Sequence, residues 1–300
     1  SVALGTVHGI ENDLVVDTDN SNISASDGDD IIIPDINSSG AIDGGNGIDA
    51  LVLTNAVSGT SRAIVDLNKG ELYLSTPGSS EVTSAANTRA IDSIETVVGT
   101  SGDDTIVANG SGTGTATLIG AGGDDYLAGG AGDDVISGGQ GDDILSGGEG
   151  SDTFIISVSD EDGNRDAGTD RITHFDLTDK ITFNGFEIIK SEDGSLPGDV
   201  TVVKNATTGF YEVSVQKVSG DNTLSSLVII EDLSNLSADE STAIQQITDA
   251  IEFNEILDVH STEPFNADFE FNFDASVVDL MSSLSDRESF FGDSFEYDDI

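Results

Sequence analysis

The 300-residue sequence contains no cysteine, which excludes disulfides, thiolate metal sites and cysteine nucleophiles. Basic residues are scarce: 10 Lys and Arg face 57 Asp and Glu, a formal net charge of −47. Nucleic acid and anionic membrane surfaces demand basic patches, so neither is an expected partner. No apolar run approaches the roughly 20 residues that span a bilayer as a helix. No N-terminal signal peptide is visible. Catalytic signatures are missing too: there is no GxSxG, no HExxH and no GxxxxGK[ST] phosphate loop. His8, His174 and His260 lie far apart without metal-ligand spacing and read as surface or strand residues. No catalytic residue is therefore assigned, and any catalytic domain is expected upstream of Ser1. The missing initial Met fits the end of a longer protein.

What the chain has is acid, glycine and a period. Hydrophobic residues make up 36% of the sequence, enough for a core, diluted by 35 glycines. Acidity alone would suit a solvated, salt-adapted chain; the spacing of the acids points to multivalent cations instead. In nines, 120–128 reads GAGGDDYLA, 129–137 GGAGDDVIS, 138–146 GGQGDDILS and 147–155 GGEGSDTFI. Gly falls at positions one and four, Asp at six and a large apolar residue at eight: Leu127, Ile136, Leu145 and Phe154. The stretches 99–107 (GTSGDDTIV) and 44–52 (GGNGIDALV) share the pattern, and DGDDIII at 27–33 is a half-match. A flexible linker has no reason to keep apolar residues in register. The Asp-Asp pairs could mimic glycosidase carboxylates, but they recur on the nine-residue lattice, which calcium explains better.

A nonapeptide of this form is a known calcium-binding parallel β-helix repeat, and the chain resembles the RTX (repeats-in-toxin) family exported by type I secretion. The resemblance implies an all-β fold: six residues turn, three form a strand, and the turns wind into a parallel β-roll. It also implies calcium ions between turns on the same side, eighteen residues apart, pairing 120–125 with 138–143 and 129–134 with 147–152. The segment ANGSGTGTATLI makes the step from 99–104 to 120–125 twenty-one residues. The implied ligands in the uninterrupted copies are Gly120, Gly122, Gly123, Asp124 and Asp125; Gly130, Gly132, Asp133 and Asp134; Gly139, Gly141, Asp142 and Asp143; and Gly148, Gly150 and Asp152. Outside them they are Asp30, Gly45, Gly47, Asp49, Gly102, Asp103, Asp104 and Asp179. The residue types suit the ion. Calcium takes six to eight oxygens in flexible geometry, Asp offers carboxylates on a short stem, and Gly lets the backbone turn its carbonyls inward. Ordering nine glycine-rich residues costs more than one buried Ile or Leu returns. The repeats are thus expected to be unfolded without calcium and folded with it.

The flanks read as β structure. LVV (14–16) begins the roll as an edge, and AIVDL (63–67) with ELYL (71–74) reads as a hairpin over Asn68-Lys69-Gly70. IDSIETVVGTSGDDTIV (91–107) resembles the strand that leads into RTX repeats. GTDRITHFDLTDKITFNGF (168–186) resembles the segment after the last repeat in serralysin-like and other RTX chains. Its acidic positions hold Asp170, Asp176 and Asp179, with Asp179 able to complete a terminal site and His174 standing where an acid is expected. VTVVKN (200–205) with FYEVSVQKV (210–218) reads as a second hairpin and LVIIEDL (227–233) as a strand, together capping the roll. Ser237 and Glu240 form a capping box before a helix with Ile244, Ile247 and Ile251 on one face. Residues 261–300 hold seven Phe and eleven acids against Arg287, and end FEYDDI. This looks like an uncleaved C-terminal secretion signal, with an ordinary disordered acidic tail as the alternative.

The expected organisation is a 1–98 β region with degenerate repeats, a 99–155 β-roll, a 156–258 capping region with a helix, and a 259–300 tail. The expected function is a non-catalytic calcium module that folds outside the cell and carries the type I signal of a secreted or cell-surface protein, adhesin-like or S-layer-like. Alternatives are the tail of a secreted hydrolase (serralysin-like protease, lipase or polysaccharide-modifying enzyme) and a carbohydrate-binding module. Expected partners are calcium, the type I machinery, and surface polysaccharide or further copies of the chain.

Overall fold

The computed structural model describes residues 12–16, 22–35, 38–53, 62–74, 88–108, 114–157, 168–183, 200–219, 222–231 and 233–253. Strands β1 (Leu14–Val16), β2 (Ile23–Ser24), β3 (Ile31–Ile33), β4 (Ile42–Asp43) and β5 (Ala50–Val52) alternate between two sheets. Then β6 (Ala63–Asp66), β7 (Glu71–Leu74) and β8 (Thr88–Asp92) run as an antiparallel meander within one sheet. Alternation resumes with β9 (Thr96–Val98), β10 (Thr105–Val107), β11 (Thr117–Gly122), β12 (Tyr126–Ala131), β13 (Val135–Gln140), β14 (Ile144–Glu149), β15 (Thr153–Ile156), β16 (Thr169–His174) and β17 (Lys180–Phe183). The hairpin β18 (Val200–Lys204) and β19 (Tyr211–Ser219) continues into β20 (Asn222–Ile230), helix α1 (Glu240–Ala250) and β21 (Ile251–Phe253).

The first sheet has the order β1-β3-β5-β9-β11-β13-β15-β17-β21, and each neighbouring pair is parallel. The second runs β18-β19-β20-β16-β14-β12-β10-β6-β7-β8-β4-β2. Both sheets cross the boundaries at 98/99 and 155/156 without interruption. The fold is an all-β parallel roll. Its register follows the period: Leu118 pairs with Ile136, Ile136 with Phe154, and Leu127 with Leu145.

The repeat strands β11 to β14 run six residues into the following turn, and of the three residues that open each one the middle side chain points to the interior. That residue is position eight of the repeat. Ile106, Leu118, Leu127, Ile136, Leu145 and Phe154 are all fully buried and form one core with Ile32, Leu51, Val97, Ile172 and Ile181. Arg89 also points inward from β8. Its guanidinium, only 2% exposed, donates from Nε to Gly40 O at 2.7 Å and from Nη1 to Asp35 O at 3.2 Å.

Three local expectations need correction. The 91–107 segment is not one strand; it ends β8 and supplies β9 and β10, because Ser93 at φ 54° and the turn 99–104 break it twice. The helix is capped by Asp239, whose carboxylate accepts the Thr242 N–H at 2.9 Å, and not by a Ser237–Glu240 box. Ile251 lies beyond the helix as the first residue of β21; Ala243 and Ile247 are the buried helical residues. The 259–300 tail lies outside the described residues. Among those described, no helix is long and apolar enough to cross a membrane.

Candidate metal centre

Turns 25–30, 44–49, 129–134 and 147–152 lead into the first sheet, and turns 99–104, 120–125 and 138–143 into the second. Successive turns on each side therefore stack in parallel, about 4.8 Å apart. Their glycines are needed for this. At position four, Gly123, Gly132, Gly141 and Gly150 have φ between 105° and 140°, a region open to glycine and costly for other residues. At position one the requirement is space. A Cβ on Gly129 would sit 2.7 Å from Gly147 O and nearer still to an Asp134 carboxylate oxygen.

Two carboxylate ladders tie the turns together in opposite directions. Position-five side chains reach forward: Asp103 Oδ1 accepts the Asp124 N–H at 3.1 Å, Asp124 that of Asp142 at 2.9 Å, and Asp133 that of Ser151 at 2.8 Å. Position-six side chains reach backward. On one side Asp125 Oδ1 accepts from Asp104 at 2.7 Å, Asp143 from Asp125 at 2.8 Å and Asp170 from Asp143 at 3.3 Å. On the other, Asp134 accepts from Ala116 at 2.7 Å, Asp152 from Asp134 and Asp179 from Asp152, both at 2.9 Å. The N-terminal turns repeat the pattern, with Asp30 accepting from Asp13, Asp49 from Asp30 and Glu95 from Asp49.

These position-six groups are buried: Asp30, Asp49, Asp125, Asp134, Asp143 and Asp152 are at most 2% exposed. Among the described residues, the second oxygen (Oδ2) of each of these six is buried without a hydrogen-bond partner. A buried carboxylate left this way is strongly unfavourable. The cost appears in their acidity. Burial pushes Asp49 and Asp134 up to about 6 and Asp125 to about 9. Burial likewise raises Asp143, and it raises Asp170, which also feels the charge of Asp143. Such oxygens call for a cation. Position-one carbonyls lie beside them: a Cβ on Gly120 would meet both Asp125 Oδ2 and Gly138 O, while position-two and position-four carbonyls face the next turn, as Ala121 O faces Gly139 and Gly123 O faces Gly141. No three carboxylate or imidazole side chains converge among the described residues, so an ion here draws on backbone carbonyls as well. That mixed oxygen set suits calcium.

The structure places every residue of the expected repeat turns in or beside these stacks. Asp170, named in the sequence only as an acidic position after the repeats and not as a ligand, and Glu95, not named at all, both occupy ladder positions. Asp143 to Asp170 and Asp152 to Asp179 are both 27 residues, three times nine; that spacing is the signal that could have found Asp170. Glu95 has no such signal, because it stands 46 residues from Asp49. His174 lies in β16 with Nδ1 3.0 Å from Gly148 O.

Fold and site together define a calcium-type β-roll repeat. The family model of the RTX calcium-binding nonapeptide repeat matches residues 91–111 and 119–154, in four copies. The chain thus carries RTX repeats, and their ion is calcium. No curated protein matches the sequence. Among solved structures, the AlgE6R3 subunit of the Azotobacter vinelandii mannuronan C5-epimerase is 27% identical, over 57% of this chain and 90% of that one, with a TM-score of 0.34. The AlgE6R2 subunit of that enzyme is 24% identical over 52% and 91%, TM-score 0.35. The extracellular lipase LipA of Serratia marcescens is 20% identical over 84% of this chain and 40% of its own, TM-score 0.28.

Proposed function

We propose that this chain is the calcium-folded, non-catalytic module of a secreted or cell-surface protein, and that it carries that protein's type I export signal in residues 259–300. The observation that supports the reading is the set of six buried, unpartnered carboxylate oxygens in register with turn carbonyls. Asp30, Asp49, Asp125, Asp134, Asp143 and Asp152 would hold the ions through these oxygens. The position-two and position-four carbonyls, such as those of Gly45, Gly47, Gly102, Gly123, Gly130, Gly132, Gly139 and Gly141, and the position-five Asp103, Asp124, Asp133 and Asp142 complete the turns. Calcium, when bound, supplies the positive charge that buried carboxylates lack. The chain's own part is to hold each oxygen at its turn and to exclude water with the position-eight core. In a calcium-poor cytosol the same carboxylates repel and keep the chain extended for threading; outside, calcium folds it.

Circular dichroism tests the folding half of this reading. Coil is expected in chelator and β structure in millimolar calcium, with magnesium much less effective because it holds its water and wants strict octahedral geometry. A β spectrum in excess chelator that calcium leaves unchanged would refute it. Export is tested separately: deleting 261–300 is expected to abolish secretion through a matching type I system while calcium-induced folding remains.

A further inference from the structure

Three position-six carboxylates, Asp104, Asp170 and Asp179, fall outside the six with a bare oxygen, and two of them, Asp104 and Asp179, are closed at the end of a stack by donors a few residues upstream. Asp179 follows the last turn on its side. Its Oδ1 accepts the Asp152 N–H at 2.9 Å and its Oδ2 accepts the Asp176 N–H at 2.6 Å, so neither oxygen is left over. The carbonyls that turn 147–152 presents to Asp179's turn are also engaged. Thr178 Oγ1 donates to Gly150 O at 3.0 Å, and His174 Nδ1 lies 3.0 Å from Gly148 O. Position five of turn 147–152 is Ser151, so no carboxylate reaches forward into this gap. Asp176 offers no oxygen here: its Oδ1 accepts from Asn235 Nδ2. At the start of the other stack Asp104 is closed in the same way. Its Oδ1 accepts from Ala63 N at 2.5 Å and Thr100 Oγ1 at 2.9 Å, and its Oδ2 from Thr100 N at 2.5 Å.

From this contrast we infer that Asp104 and Asp179 are clasps rather than calcium ligands. The gap between turns 147–152 and 176–179 is filled by protein donors and takes no ion, so the last ion on that side sits against Asp152. In each clasp a backbone N–H three or four residues upstream does what calcium does within the stack: it satisfies the second carboxylate oxygen. One end of each of these two stacks is thereby held without metal. Asp170, at the end of the second stack, is not closed in this way; it faces the Asp143 carboxylate, buried and 2% exposed.

The inference rests on the calcium reading, and one experiment separates the two. Native mass spectrometry of the full chain in calcium counts bound ions for wild type, Asp152→Asn and Asp179→Asn, alongside thermal melts in saturating calcium. Asp152→Asn is expected to lose one ion. Asp179→Asn is expected to keep the wild-type number and a calcium midpoint within about twofold of wild type, with a lower melting temperature. Loss of an ion from Asp179→Asn overturns the clasp. Absence of calcium from the wild type refutes the calcium reading instead. Should Asp179→Asn fail to fold, Thr178→Val decides: an unchanged ion count with a lower melting temperature supports the clasp, and a lost ion overturns it.

Discussion

Acid should substitute in part for calcium. The perturbation is to lower the pH of the calcium-stripped chain from about 7.5 to about 5, above the sequence pI of about 4.1. The sign follows from linkage. Burial raises the folded-state value of Asp134 from 3.8 to about 6, so the ion-free fold binds this proton more tightly than the unfolded chain does. The resulting penalty is fully present above the folded value and absent below 3.8; stability of the ion-free fold therefore rises as pH falls through this window. At about 1.4 kcal/mol per pH unit, the full penalty for Asp134 near neutral pH is about 3 kcal/mol, and reaching pH 5 relieves roughly half of it. Asp49 behaves alike, and Asp125, raised to about 9, contributes more. Several such groups together recover an amount comparable to the whole stability of a typical domain. The assay is far-ultraviolet circular dichroism against pH without calcium, with sedimentation velocity to exclude aggregation. The calcium needed to half-fold the chain, measured in parallel, should fall on acidification, because a protonated ion-free fold leaves the ion less to compensate. A calcium-free chain that stays coil down to pH 5, together with a pH-independent calcium midpoint, would refute the claim that buried carboxylates are what calcium compensates.

Other substitutions have defined outcomes. Replacing Asp134 or Asp143 by Ala should raise the calcium midpoint for folding, whereas Asp268→Ala or Asp274→Ala, off the nine-residue lattice, should not; a calcium titration by circular dichroism compares the four. Gly129→Ala puts a methyl against Gly147 O and the Asp134 carboxylate, so calcium affinity should fall and the calcium-loaded fold lose about 2 kcal/mol or more, read from denaturant melts. Leu127→Ala empties a fully buried core position and should cost about 2–5 kcal/mol in saturating calcium without changing the number of ions bound.

The roll was legible where sequence and geometry share one period. From 118 to 154, each apolar eighth residue predicts its interior position, and each Gly-x-x-Gly-x-Asp its turn. Outside that run the period breaks and the reading weakens. The 53–98 excursion shows its hairpin in sequence. That β7 enters the second sheet between β6 and β8 depends on long-range pairing, which no local pattern carries. Asp104 fits the repeat as well as Asp152 does, whereas Asp179 keeps only the 27-residue step from Asp152, with His174 and Leu177 at its glycine positions; what closes both is the backbone N–H of Asp176 or Thr100, which no residue pattern announces. Helix α1 was placed correctly, but its cap was not, because Ser237 and Asp239 are both good capping residues and the chain uses the later one.

One interruption has a further consequence. Between Glu95 and Asp134 the backward-reaching position is filled by Ala116, which receives a carboxylate but sends none. A stack of repeats behaves as a one-dimensional chain in which each unit is stabilised only by its neighbours. Ala116 is a firebreak in that chain. Stripping the ion beside Asp152 should loosen Asp134 next, but the damage has no carboxylate along which to pass to Glu95, Asp49 and Asp30. Hydrogen exchange on this side should then split into two blocks, which melt at different calcium levels even though the first sheet runs unbroken through both.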